Sequence, residues 1–239
     1  MAEKLKITVM LGGPSAEREV SLRSGTAVAA ALRSRGHEVF ELDPRTPGWT
    51  LPAGTQVVFL ALHGTYGEDG TVQAELDKLG VPYTGCDAEA SRKGFDKVLA
   101  KQCFLAAGVP TARFAVFDSP GASWPMGWNP PVILKPACQG SSVGLQFVER
   151  VGDWSAALEE ALRHDTKVLM EEKVNGRECT VGILGDQTVP ISEVRLKSGL
   201  YDYKTKYTAG AAEHFCPAPF DDATAERVRA AALGAFRAI

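Results

Sequence analysis

The chain has 239 residues, 45% of them hydrophobic and 23% charged, with a formal net charge of −3 and a pI near 5.9. That length fits one large domain or two to three smaller ones, and folding at that size buries roughly 70% of the unfolded surface without a metal or disulfide staple. The mild acidity excludes the broad basic face of a nucleic-acid binder, and the short apolar stretch before Gly12 is too brief for a signal-peptide core or a membrane span.

Residues 6–11 (KITVML) read as a first strand ending in Gly12-Gly13-Pro14. Val20, Leu22, Ala27, Ala31 and Leu32 then recur near helical spacing, which predicts a helix to about Ser34 with Gly36 as its stop. Residues 38–42 and 57–62 read as strands. The second, VVFLAL, is nearly all apolar, as expected of a central strand covered on both faces. A short helix over 71–79 and a return over 81–85 complete an N-terminal doubly wound α/β unit with a parallel sheet. Ligands of such sheets bind beyond the carboxyl ends of the strands. The loops GGPSAERE and HGTYGEDG both fall at that edge.

A helix is expected over about 96–107 and a strand over 113–117, followed by the Pro/Gly-rich surface loop 119–131. ILKP and LQFVE flank a Gly/Ser loop, which predicts a hairpin with Lys135 at its base. A helix over 154–164 and a strand over 167–172 follow. Beyond Arg177 come the strand-like runs ECTVGIL, QTVPI and SEVRL, a long loop over 198–220 and a helix over 222–238. The loop carries three tyrosines and two lysines, which favours function over disorder. The predicted division is an N-terminal domain 1–96, a central α+β domain 97–175 and a C-terminal part 176–239.

Five cysteines, at 86, 103, 138, 179 and 216, form no CxxC pair. They read as reduced, mostly buried thiols of a cytoplasmic protein. Backbone N–H groups of a Gly/Ser loop can cradle phosphate, and Lys135, with Lys97 from a neighbouring element, can neutralise it. Taken alone, this loop reads equally well as a polar hairpin. No GxxxxGK[ST] or GxGxxG pattern occurs, which disfavours a P-loop NTPase or a dinucleotide site.

Five motifs appear in order: LGGPSAEREVS, ALHGTYGEDG, ILKPACQGSSVG, VLMEEKVNGRECTV and YDYKTKY. Their succession resembles the D-alanine–D-alanine ligases, ATP-grasp enzymes of peptidoglycan synthesis, over essentially the whole chain. The resemblance implies an α/β fold with central and C-terminal ATP-grasp domains, ATP and D-alanine as substrates, Mg2+ or Mn2+ as cofactor, and a homodimer through the N-terminal domain. It implies catalytic roles for Glu17, Ser141 and Tyr207. Glu17 would bind the ammonium of the first D-alanine, His63 would sit near its carboxylate, and Glu68 would support that site. Ser141 and Tyr207 would approach the amino acids. Lys97, Lys135 and Lys206 would contact ATP phosphates and Glu171 the adenine amino group. Glu172 and Val174 would offer backbone contacts to the ring, and Glu178 would hold the ribose. Tyr207 goes with an amine as second substrate, which leaves D-serine as an alternative to D-alanine.

The family's Arg-x-Asp and Glu-x-Asn strands, which bind the metal, have no counterpart before Ile239, so metal ligands are expected beyond that residue. Three readings follow: a shortened form of an active ligase with impaired turnover, a nucleotide-binding protein without turnover, or another ATP-grasp carboxylate–amine ligase. The final helix would carry an apolar face of Val228, Ala232, Leu233 and Phe236 without its sheet.

Overall fold

A computed structural model describes residues 4–196 and 212–239. The chain divides into two compact units, Met1–Asp96 and Lys97–Ile239.

The first unit is built on β1 (Lys6–Met10), with β2 (Glu38–Leu42) and β3 (Val57–Leu60) parallel on either side. Alternation along β1 sends Ile7 and Val9 to one face and Met10 to the other. Helix α1 (Arg18–Ser34) covers the first face through Leu22, Val28, Ala29 and Leu32. Helix α2 (Thr71–Leu79) covers the second through Val72 and Leu76, which meet Met10 and Val58. Helices on both faces of a parallel sheet are the doubly wound arrangement expected from the sequence.

Two details differ from expectation. The buried stripe of α1 is Ser21, Gly25 and Ala29, whereas Ala27 and Ala31 are exposed. Small residues let the helix approach the sheet closely, so apolarity alone misplaced its inner face. Strand β3 has neighbours on both sides, β1 and the 82–84 segment, where Val58 bridges Tyr83, and apolar packing on both faces, as the VVFLAL run predicts. A further helix, α3 (Ala88–Phe95), was not anticipated.

The second unit opens with α4 (Lys97–Ala106). Strands β4 (Phe114–Phe117), β5 (Val132–Pro136), β6 (Gln146–Val148) and β7 (Val168–Glu172) form an antiparallel sheet in the order β4-β7-β5-β6. Helix α5 (Trp154–Leu162) packs on the face bearing Val132, Leu134, Val168 and Met170. The opposite face carries Leu169, which clusters with Val98 of α4 and Phe114 of β4. Alternation therefore sends Lys135 and Glu171 to the α4 side.

The chain continues as β8 (Glu178–Thr180), the hairpin β9 (Ile183–Leu184) and β10 (Gln187–Thr188), and β11 (Ser192–Leu196). Strand β12 (Ala212–Phe215) pairs with β11, so part of the segment expected as a long loop is sheet. Helix α6 (Asp222–Ala238) ends the chain and packs against α4, so its face is partly covered, although Phe236 stays exposed. All five cysteines are free thiols. Cys86 and Cys216 are exposed and the other three half-buried, which corrects the expectation of buried thiols. No helix among the described residues is long and apolar enough to cross a membrane.

Candidate functional site

In the first unit, the predicted residues Glu17, His63 and Glu68 converge beyond the carboxyl ends of β1 and β3. Glu17 is the N-cap residue of α1, and its side chain is buried. Its backbone N–H donates to Ser15 Oγ at 3.1 Å, and Ser15 Oγ donates to the His63 carbonyl at 2.6 Å. The Gly12-Gly13 turn is held by Asp43, whose carboxylate accepts the Gly13 N–H and pairs with Arg18 at 2.6 Å. His63 Nε2 lies 3.0 Å from Ser24 Oγ, and its Nδ1 lies 3.6 Å from Glu68 Oε1. The other oxygen of Glu68 accepts the Gly64 N–H at 2.9 Å.

Gly64 adopts a φ of +70°, and a Cβ there would fall 2.7 Å from Glu17 Oε2. Only glycine lets the His63–Gly64 turn lie so close to the Glu17 carboxylate. The hydrogen bond with Glu68 raises the His63 pKa above its ordinary 6.5; burial opposes this, and the charges of Glu68 and Glu17 add to it. The result is an imidazole whose protonated form is favoured, set beside the carboxylates of Glu68 and Glu17.

In the second unit, Lys97, Lys135 and Glu171 converge. The register sets Ile133 opposite Glu171 and Lys135 opposite Leu169, so Lys135 and Glu171 are diagonal neighbours on one face. Lys135 pairs with Glu171 Oε2, and the buried Lys101 of α4 lies 2.6 Å from Oε1. Burial pushes the Glu171 pKa up, but Lys135 and Lys101 together outweigh it and hold the carboxyl below its ordinary 4.5. Lys97, at the first turn of α4, donates to the carbonyls of Pro136, Ala137 and Gln139 at 3.1, 3.2 and 2.6 Å. Burial lowers its pKa from the ordinary 10.5, and the Lys135 charge nearby lowers it further.

The loop after β5 is anchored at its base. Cys138 N–H donates to Asp165 Oδ2 at 2.6 Å, and Gln139 Nε2 donates to the His164 carbonyl at 3.0 Å. At its tip, Ser141 and Ser142 have φ values of 49° and 61°, a left-handed conformation rare for residues other than glycine. Strain of this kind concentrates at ligand-binding turns. A Cβ at Gly144 would sit 2.6 Å from His164 Cδ2 and 2.8 Å from Pro136 Cγ, so the loop's exit is packed tightly on its base.

The remaining expected residues are less gathered. Glu172 accepts the Arg113 N–H at 2.9 Å through its carboxylate, and its own N–H donates to the Arg113 carbonyl. A main-chain contact from Glu172 to a ligand therefore cannot use that N–H. Val174 and Glu178 are exposed. Tyr201, Tyr203, Lys206 and Tyr207 lie outside the described residues. Three side chains were missed by sequence reasoning: Ser15, Ser24 and Lys101. Ser24 stands two helical turns after Glu17, and Lys101 one turn after Lys97, so helical spacing was the available signal. Among the described residues, no three His, Cys, Asp or Glu side chains gather into a metal site.

Comparison with known proteins follows the same lines. Residues 43–86 match the family described as D-ala D-ala ligase N-terminus, and residues 104–239 match D-ala D-ala ligase C-terminus. A D-alanine–D-alanine ligase of Methylacidiphilum infernorum is 41% identical over 98% of this chain and 76% of its own length. The crystal structure of the D-alanine–D-alanine ligase of Bacillus anthracis superposes with a TM-score of 0.83 at 28% identity, covering 98% of this chain and 78% of that one. The same enzyme complexed with ATP gives 0.80 at 26% identity, covering 99% and 78%. The VanG D-Ala:D-Ser ligase of Enterococcus faecalis gives 0.79 at 27% identity, covering 99% and 83%.

Proposed function

The chain belongs to the D-alanine–D-alanine ligase family, and on that premise we propose that it joins two D-alanines at the expense of ATP, in the cytoplasm, for peptidoglycan precursors. The observation that carries this reading is the lysine pair at the base of the strained Gly/Ser loop, Lys97 on the Gln139 carbonyl and Lys135 on Glu171. A carboxylate is a poor electrophile. Transfer of the γ-phosphoryl group of ATP to the first D-alanine gives an acyl phosphate and ADP. The amine of the second D-alanine then attacks the acyl carbon, phosphate leaves with the bonding pair, and the amine loses its proton. Positioning and charge neutralisation are the protein's contribution.

Glu17 takes the ammonium of the first D-alanine. His63, held by Ser24 and by Glu68, which raises its pKa, faces the carboxylate. Lys135, and Lys97 on exchanging a loop carbonyl for the ligand, take phosphate oxygens, and Ser141 with its loop backbone covers them. Glu171 accepts from the adenine amino group, Glu172 offers its carbonyl, Val174 provides main-chain contact and an apolar wall, and Glu178 takes the ribose. The motif YDYKTKY assigns Lys206 to the γ-phosphate and Tyr207 to the second amino acid. Magnesium or manganese is expected as the metal. The described residues form no donor set for it, so none of these roles is routed through it. The finer division of the second unit into a central domain 97–175 and a C-terminal part 176–239, and a homodimer through the first unit, belong to the same reading. The likeness to the VanG ligase favours D-serine as the competing second substrate.

ADP release by protein expressed from its whole reading frame tests the reading. It is expected to require both D-alanine and magnesium. Glu17→Gln should raise the KM for D-alanine more than tenfold, the cost of losing a charge-assisted hydrogen bond, while ATP affinity holds. ADP release driven by another amino acid and indifferent to D-alanine would overturn it.

A further inference from the structure

Glu171 holds two ammonium groups, one on each carboxylate oxygen, and the two are not equivalent. Lys101 is 7% exposed, and an ammonium has three N–H donors. Its partners are Glu171 Oε1 at 2.6 Å, Thr111 Oγ1 at 2.7 Å and the Ala112 carbonyl at 2.8 Å. The cation also lies 4.9 Å from the centre of the Phe114 ring, a further attraction. Every donor is spent, in a place water does not reach. Lys135, on the other oxygen, is 30% exposed and stands at the mouth of the Gly/Ser loop.

A buried carboxylate left without a partner is costly. Were Lys135 the sole partner of Glu171, an incoming phosphate would have to strip it away and strand the carboxylate. With Lys101 fixed on the other oxygen, Lys135 can depart and leave a neutral buried pair behind. Two lysines on one carboxylate also leave a net positive charge, which attracts an anion before any side chain moves.

We propose that Lys101 is a positioning residue, the permanent counter-ion of Glu171, and that Glu171 is a holding point from which Lys135 transfers to a phosphate of the bound nucleotide. This rests on the reading of Lys135 as a phosphate ligand. It assigns Lys101 no contact with substrate. Its effect is to set how firmly Glu171 holds Lys135.

Calorimetric titration with ATP, on the unmodified protein and five variants, separates the two ideas. Lys135→Met tests the underlying reading. If it binds ATP as the unmodified protein does, that reading falls and this proposal with it. If Lys135→Met weakens binding, Lys101→Met is expected to weaken it about tenfold although Lys135 is intact, the weight of one charge-assisted hydrogen bond. Lys101→Arg should recover most of that loss. In a Glu171→Gln background, where no carboxylate retains Lys135, adding Lys101→Met should cost no further affinity. A purely structural lysine would cost as much there as in the unmodified protein. Unchanged affinity in Lys101→Met, or an equal loss in the Glu171→Gln background, overturns the proposal. Should Lys101→Met fail to fold, a crystal structure of the unmodified protein with ATP decides. Lys101 Nζ is expected to remain at hydrogen-bond distance from Glu171 while Lys135 Nζ moves to a phosphate, and Lys135 still seated on Glu171 is the overturning result.

Discussion

His63 shows how one side chain inherits its chemistry from three elements. It follows β3, its Nε2 meets Ser24 of α1, and its Nδ1 faces Glu68 of the following turn. Glu68 is the largest cause of its raised pKa, so Glu68→Gln should bring the titration of His63 down towards 6.5. Proton NMR of the imidazole against pH reads this directly, and an unchanged midpoint would show that the Glu17 charge and the local field govern it instead. The loops that carry His63, Glu17 and Glu68 were legible as the carboxyl edge of a parallel sheet, where ligands bind, and the family resemblance singled out these three residues within them. Ser24 and Lys101 were not. A serine inside a helix and a lysine on one are ordinary surface residues until the fold turns them inward, and the buried Lys101 of α4 is neutralised by Glu171 of β7, far along the chain.

At the scale of elements, strands were easier to see than short helices. The strands up to β7 carry runs of Val, Ile, Leu and Phe, and each falls where the sequence predicts it within a few residues. Helix α3 reads AEASRKGF and buries only Ser91, so it has no apolar stripe to betray it. Its start is instead written in Asp87, whose Oδ1 accepts the Ala90 N–H at 2.8 Å. Strand β12, AEHF, was hidden in the same way, since it has no fully buried residue. Asp87→Ala should destabilise the first unit by about 1 kcal/mol, the usual cost of losing an N-cap. Urea unfolding measures it, and Asp87→Ser should restore most of the loss. A loss restored equally by Asp87→Leu would show that packing rather than capping is at work.

Across the whole molecule, charge arrangement predicts how stability changes with pH. Asp43, Glu171 and Glu193 are each held below the ordinary carboxylate range by paired cations. Glu193 is bound by Arg177 at 2.6 Å and Arg195 at 2.8 Å, which bring its pKa to about 2. Arg177 also stacks 3.9 Å from the Phe220 ring centre and donates to the Pro219 carbonyl, so this cluster ties the 219–220 segment to β11. A carboxylate whose pKa is lowered on folding stabilises fully above its unfolded value, about 4, and loses that contribution as pH falls through its folded value. His63 has the opposite sign. Its raised pKa stabilises fully below 6.5, and the contribution is lost as pH rises through the higher folded value. The melting temperature should therefore drop steeply between about pH 4 and pH 2 and decline gently above about pH 6.5. Glu193→Gln should flatten the lowest part of the acid limb, near pH 2, where Glu193 titrates, while Glu68→Gln should flatten the gentle decline. Thermal melts from pH 2 to pH 8 on the three proteins test both, and a steep acid limb in Glu193→Gln would assign that limb to Asp43 and Glu171 instead.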